Sequence, residues 1–91
     1  MERLEAISTG RVQLVLYRDF TVRKARALGL VGEVQNLTNG TVKTIAEGPR
    51  DALEKLVVQL RKGSLFSRVE HVEAMFVPVS GMYTSFTIRY E

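Results

Sequence analysis

Apolar residues recur at helical spacing in two separate stretches of the chain. In residues 18–28 the repeat falls on Thr21, Ala25 and Leu28, and Gly29 is suited to end the helix. A second helix is predicted after Gly48-Pro49, because the apolar positions follow an i, i+3, i+4, i+7 pattern: Leu53, Leu56, Val57 and Leu60. Gly63 suits the position just after this helix. An apolar stripe of this kind covers one face of a sheet.

Five other stretches are typical of strands: residues 4–12, 30–36, 41–47, 67–77 and 83–90. Asn39-Gly40, between the second and third, is a strong hairpin signal because both residues tolerate the positive φ that such turns need. The fourth breaks strict alternation at Val69 and Val72, which predicts a β-bulge. In the fifth we expect three side chains on one face: Phe86, Ile88 and Tyr90.

The order of elements is strand, helix, strand, strand, helix, strand, with one further strand. Two helices of matching amphipathic pattern that cross between antiparallel strands indicate the split βαβ arrangement. The predicted fold class is therefore α+β. We expect a ferredoxin-like sandwich, with a mostly antiparallel sheet and both helices on one face. Residues 1–91 are predicted to form a single domain, since this length supports one core.

The stretch from Gly10 to Arg18 runs from the first strand through a short loop into the first helix. Backbone N–H groups at a helix start have no partner within the helix and lie at the positive end of its dipole. With the guanidinium of Arg18 beside them, they suit a phosphate. Many such joints carry an arginine without a ligand, so the alternative is a helix-start Arg18 paired with Asp19.

Composition removes several classes of site. The chain has no cysteine, which excludes disulfides, thiol nucleophiles and thiolate metal sites, and a single histidine, His71, which excludes a histidine pair. We assign no chemistry to His71, because a lone histidine among charged strand residues is usually at the surface. The sequence shows neither a signal-peptide pattern nor an apolar run long enough to span a membrane, so we expect a cytoplasmic protein.

A net charge of +3 is compatible with small anions and with weak nucleic-acid contact. The basic side of the first helix, with Arg23, Lys24 and Arg26, has no exposed aromatic residues interleaved, and we interpret it as a solvated face. An RNA-binding domain of similar topology would need exposed aromatics on its central strands, so we rank that function low.

Two spaced motifs carry a family resemblance. The first is Gly10-Arg11-Val12-Gln13, followed five residues later by Arg18, and the second is Gly32-x-Val34-x-Asn36-x-x-x-Gly40-x-Val42. Together with Gly48-Pro49 and the closing Phe86-Thr87-Ile88-Arg89-Tyr90, they extend over nearly the whole chain. In these residues the sequence resembles the acylphosphatases, small ferredoxin-like enzymes that hydrolyse carboxyl-phosphate mixed anhydrides.

The resemblance implies that Arg18 binds the substrate phosphate together with backbone N–H groups of residues 14–18, and that Asn36 positions the attacking water. The implied substrate-binding segment is Gln13, Leu14, Val15, Leu16, Tyr17 and Arg18. It also implies a metal-independent enzyme without a cofactor, whose ligand is a small acyl phosphate or inorganic phosphate. We expect a monomer that binds neither nucleic acid nor membrane.

The sequence departs from the family pattern in the phosphate loop. Leu14 stands where the family usually has glycine, and Leu16 where a glycine or another small residue is frequent. If Leu14 must adopt a left-handed conformation, the strain is about 1–2 kcal/mol. An active acylphosphatase is the leading prediction. The alternative is a catalytically impaired member that serves as an anion-binding or interaction module.

Overall fold

The computed structural model describes residues 1–90, which form five strands and two α-helices. The elements are β1 (Glu2–Arg11), α1 (Tyr17–Ala27), β2 (Val31–Asn36), β3 (Val42–Gly48), α2 (Arg50–Lys62), β4 (Arg68–Val77) and β5 (Phe86–Ile88). Both predicted helices and all five predicted strands are present, with most ends within two residues of the prediction. The described residues include no helix long and apolar enough to span a membrane.

The five strands form one sheet in the order β4-β1-β3-β2-β5. Neighbouring strands are antiparallel except for β2 and β5, which are parallel. The predicted ferredoxin-like α+β fold with a mostly antiparallel sheet is therefore confirmed.

The core lies between the two helices and one face of the sheet. Every second residue of the central strands is buried on that face, as the pairing of Leu4 with Ala46 and of Ala6 with Thr44 shows. The predicted stripe of α2 is buried against them in full: Leu53, Leu56, Val57 and Leu60. From α1, Phe20 and Ala25 join the same cluster.

Strand direction brings three chain segments to one edge of the sheet. Strands β1 and β2 are both antiparallel to β3, and β5 is parallel to β2, so β1, β2 and β5 all end at the same edge. Ser8 and Asn36 pair with opposite sides of Val42, which places the end of β2 close to the end of β1. Helix α1 starts at this edge and packs on β2 and β5. The loop of residues 12–16 therefore lies beside the ends of both strands.

The predicted β-bulge is present in β4. Thr9 pairs with His71 and Gly10 with Val69, so Glu70 has no partner on β1. At this point Gly10 has a φ of 117°, and a Cβ there would clash with the carbonyl oxygen of Arg68. Glycine is therefore required where β1 leaves the sheet and enters the loop.

The last strand is shorter than predicted. Strand β5 covers Phe86–Ile88 rather than residues 83–90, because β2 begins at Val31 and its register with β5 leaves no partner for residues before 85. Phe86 is buried and Ile88 half-buried as expected, whereas Tyr90 is 74% exposed. Tyr90 lies beyond the strand, and its ring faces α1 instead of joining the core.

Candidate active site

The loop between β1 and α1 has an unusual backbone. Leu14 has a φ of 60° and Leu16 a φ of 63°, and in residues 1–90 they are the only residues other than glycine with positive φ. Their side chains contribute nothing to the core, since they are 95% and 65% exposed. Each leucine thus occupies the left-handed region that glycine would reach without strain. The left-handed conformation considered for Leu14 is present, and Leu16 shares it.

The loop presents a series of free backbone donors. Within residues 1–90, none of the N–H groups of residues 14–18 donates a hydrogen bond to a protein acceptor; the first helical bond at this end runs from the N–H of Phe20 to the carbonyl of Leu16. Alternation between left-handed and other conformations turns successive N–H groups towards one concavity, which binds anions. The start of α1 adds its positive dipole end at the same place. We call the N–H groups of residues 14–18 the amide cradle.

Arg18 lies on the first turn of α1, directly beside the amide cradle. Its Cζ is 5.3 Å from the centroid of the Tyr90 ring, a cation–π contact. No salt bridge joins it to Asp19 or to any other acid in the described part of the chain. The alternative of an arginine neutralised by its neighbour is therefore wrong. The N–H groups of a guanidinium lie in the plane of the guanidinium. Contact with the face of the Tyr90 ring therefore leaves these N–H groups available to an anion.

Asn36 is the last residue of β2 and ends at the same edge as the amide cradle. It follows Gly32 and Val34 at alternate positions, so its side chain lies on the face that the helices cover. Its Oδ1 atom is buried and has no hydrogen-bond partner among the described residues. An unpaired buried acceptor is costly, and a water molecule that donates to it would satisfy it.

Gln13 holds the loop against the turn that follows Asn36. Its Nε2 donates to the carbonyls of Leu37 and Thr41, each at 2.8 Å. Both carbonyls belong to the β2–β3 turn, where Gly40 takes the positive φ predicted for this hairpin. The side chain of Gln13 thus fixes the amide cradle relative to Asn36, and its two amide protons are used within the protein.

The underside of the loop is anchored in the core. The Tyr17 hydroxyl donates to the Leu60 carbonyl at 2.8 Å and accepts from Ser8 Oγ at 2.9 Å. Burial raises the pKa of Tyr17 to about 12, although the hydrogen bond from Ser8 opposes this shift. On the other side, Ser64 Oγ donates to the Val15 carbonyl at 3.0 Å. These bonds hold Val15 and Tyr17 inward, so the intervening Leu16 faces outward.

The structure places every predicted substrate-binding residue, Gln13 to Arg18, in one continuous segment, with Asn36 at the neighbouring strand end. Sequence reasoning missed the two bonds of Gln13 and the contact between Arg18 and Tyr90. The first had a signal, because Gln13 belongs to the motif that carries the resemblance. The contact with Tyr90 depends on where the chain runs after β5, and local sequence does not encode that.

Nearly the whole chain is similar to known proteins. A family model described as Acylphosphatase matches residues 4–88. An acylphosphatase of Thermus thermophilus is 45% identical over 82 residues, which cover 90% of this chain and 93% of the relative. One of Dehalococcoides mccartyi is 43% identical over 91 residues, covering 99% and 100%. The crystal structure of acylphosphatase from Bacillus subtilis superimposes with a TM-score of 0.95 at 34% identity, covering 99% and 100%. The chain therefore belongs to the acylphosphatase family, and its function is that of an acylphosphatase.

Proposed function

We propose that this enzyme binds the phosphate of a small acyl phosphate with Arg18 and the amide cradle, and positions the attacking water with Asn36. The observation that carries the proposal is the run of five successive N–H groups that have no partner within residues 1–90, beside an arginine that makes no salt bridge in the same range. Backbone N–H groups and a guanidinium are all donors, and phosphate oxygens are all acceptors, so the two sets are complementary.

The reaction needs alignment more than acid–base chemistry. The water oxygen forms a bond to phosphorus while the bond from phosphorus to the acyl oxygen breaks, and the bonding pair leaves with the carboxylate. The products are one carboxylate and one dihydrogen phosphate. Their summed charge equals that of the acyl phosphate dianion, and the dihydrogen phosphate carries both protons of the water. Because a carboxylate is a good leaving group, no protein acid is required to protonate it.

Arg18 and the amide cradle supply the electrostatic part of catalysis. Negative charge on the equatorial phosphoryl oxygens is stabilised by fixed donors that need not reorganise during the reaction. Asn36 would accept a hydrogen bond from the water at its buried Oδ1 and so aim the water oxygen at phosphorus. Since the guanidinium already provides positive charge at the phosphate, we propose that turnover is metal-independent.

The conformation of the two leucines supports the enzyme over the impaired module. That alternative was motivated by Leu14 and Leu16, whose side chains could have forced the loop N–H groups away from the phosphate. Both residues instead take the left-handed conformation. The relatives are likewise named acylphosphatases.

We also propose a monomeric, single-domain protein of the cytoplasm. All proposed site residues come from one chain, so catalysis requires no second subunit. Nucleic acid is not proposed as a partner, because the central strands β1 and β3 carry no aromatic residue on which bases could stack.

Hydrolysis of acetyl phosphate in the presence of EDTA tests the proposed roles. We expect Arg18→Ala and Asn36→Ala each to lower kcat/KM by about 10²–10³-fold, the loss typical of removing one transition-state donor or positioning group. Arg23→Ala and Gln35→Ala are matched controls, since Arg23 is exposed on the same helix and Gln35 precedes Asn36 but faces the other side of the sheet. Wild-type rates in the Arg18 variant would overturn the phosphate assignment, and in the Asn36 variant the water assignment.

A further inference from the structure

Two large apolar side chains lie at the mouth of the active site without a structural use. Leu14 is 95% exposed and Leu16 is 65% exposed, although leucine is among the residues most often buried. Both also strain the backbone by occupying left-handed conformations. Glycine or asparagine would fit the same backbone with less strain, so the fold alone does not account for leucine. We call these two side chains the leucine rim.

The leucine rim and Arg18 line the same pocket. It has a volume of about 260 Å³, and its wall also includes Val12, Tyr17 and Asp19. One part of the wall therefore combines the guanidinium of Arg18 and several N–H donors with the single carboxylate of Asp19, and the adjoining part is aliphatic. Such a pocket matches a ligand with an anionic head and an apolar tail.

Two more exposed apolar side chains follow the residue that anchors the loop. Ser64 is bonded to Val15, the residue between the two leucines, at 3.0 Å. The next two residues after Ser64 are Leu65 and Phe66, which are 88% and 65% exposed. The segment that anchors the loop is therefore itself apolar at its surface.

We propose that the leucine rim binds the acyl group, so that the enzyme prefers acyl phosphates with an apolar acyl chain of about six carbons over acetyl phosphate. This inference rests on the proposed function, because it requires the phosphate to occupy the amide cradle. Leu14 and Leu16 are then specificity residues through their side chains, in addition to the N–H groups that their backbone supplies. The phosphate fixes the head of the substrate, and the acyl chain covers the exposed leucines.

The test compares kcat/KM for hexanoyl phosphate and for acetyl phosphate. A methylene that becomes fully buried is worth about fourfold, so four extra methylenes, partly covered, should give about a tenfold preference. In the Leu14→Asn/Leu16→Asn double variant the ratio should fall to about two. Asparagine tolerates the left-handed conformation, so the loop can keep its backbone while it loses its apolar rim. Met75→Gln is the control, because Met75 is 57% exposed on the opposite face of the sheet and its removal should leave the ratio unchanged.

The outcomes separate the two proposals. Equal kcat/KM for both substrates in the wild type, or an unchanged preference in the double variant, would overturn the inference while acetyl phosphate turnover still supports the proposed function. No hydrolysis of either substrate by the folded wild type would overturn the proposed function and the inference with it. Should the double variant not fold, Leu14→Asn alone tests the same point, since this side chain is almost fully exposed and should account for about half of the preference.

Discussion

Replacing Leu14 and Leu16 by glycine should stabilise the protein, although glycine normally destabilises. Both leucines have φ near 60°, where an L side chain costs about 1–2 kcal/mol and glycine costs nothing. Both side chains are largely exposed, so their removal forfeits little burial. The backbone that the leucines hold under strain is therefore the one that glycine adopts freely.

The expected gain follows from two opposing terms. Each substitution relieves about 1–2 kcal/mol of strain in the folded state. The greater conformational freedom of glycine in the unfolded chain reduces this gain in stability by about 0.5–1 kcal/mol. The net gain is about 0.5–1 kcal/mol at each position. For a domain of this size, the double variant should then melt roughly 5–10 °C higher than the wild type.

The decisive assay compares glycine with alanine at the same positions. Alanine keeps the Cβ and so the strain, whereas glycine removes it, and urea unfolding measures the free-energy difference. We expect Leu14→Gly and Leu16→Gly to be more stable than Leu14→Ala and Leu16→Ala. Val58, which is 60% exposed in α2, provides the reference, because there glycine should be about 1 kcal/mol less stable than alanine. If alanine is also the more stable residue at both loop positions, the left-handed backbone and the argument built on it are refuted.

Three further predictions concern polar anchors, two of them beside the site and one, Glu47, at the opposite end of the sheet, where β1 and β2 begin. Tyr17→Phe should lower the free energy of unfolding by about 1–3 kcal/mol in urea, because it deprives the buried Leu60 carbonyl of its donor. Glu47→Gln should lower the free energy of unfolding by a similar amount at pH 7. In this variant the free energy of unfolding should also decrease less as the pH is lowered. Gln13→Glu should reduce kcat/KM for acetyl phosphate by about tenfold or more, since a carboxylate in place of the amide donor releases the loop from the β2–β3 turn.

The pH dependence of stability distinguishes these anchors from ordinary packing. Burial opposes ionisation of Glu47, but hydrogen bonds from Ser80 and Gly81, together with the charge of Arg3, outweigh it and lower the pKa of Glu47 below its usual 4.5. Its contribution is therefore present above about pH 4.5 and is lost as the pH falls through the lower folded value. The raised pKa of Tyr17 affects stability at alkaline pH. The contribution of Tyr17 to the free energy of unfolding is lost as the pH rises from about 10 to about 12.

Controls for these variants use the same measurements. An acid profile of Glu47→Gln that matches the wild type, or an alkaline profile of Tyr17→Phe that does so, would contradict the corresponding assignment. For Gln13→Glu the comparison is Gln35→Glu, which places the same charge on the opposite face of the sheet. Equal rates for the two glutamate variants would show that the bonds of Gln13 do not matter for catalysis.

Elements whose signals lie in neighbouring residues could be predicted from the sequence. Helix α2 follows from four apolar residues at helical spacing, the β2–β3 turn from Asn39-Gly40, and the β4 bulge from a break in alternation. These features depend on neighbouring residues, so local sequence is sufficient. The length of β5 was wrong because it depends on where its partner β2 begins, which lies more than 50 residues away along the chain.

The residues of the candidate site could be predicted from the sequence, but the backbone conformation of its loop could not. Its residues came from a motif resemblance, and the segment from Gln13 to Arg18 is continuous in the structure as it is in the sequence. The backbone conformation of Leu14 and Leu16 could be posed only as a condition, because nothing local forces a leucine into positive φ. It is imposed by contacts from distant segments: Ser64 and Leu60 hold the neighbouring Val15 and Tyr17 in place.

The central claim is that the amide cradle survives the two leucines and binds phosphate with Arg18. Titration of the ¹⁵N-labelled protein with inorganic phosphate, followed by amide NMR shifts, tests it most directly. We predict saturable shifts centred on the N–H groups of residues 14–18, which disappear in Arg18→Ala and persist in Arg23→Ala. Shifts centred elsewhere, or the same saturable response in Arg18→Ala, would contradict the claim.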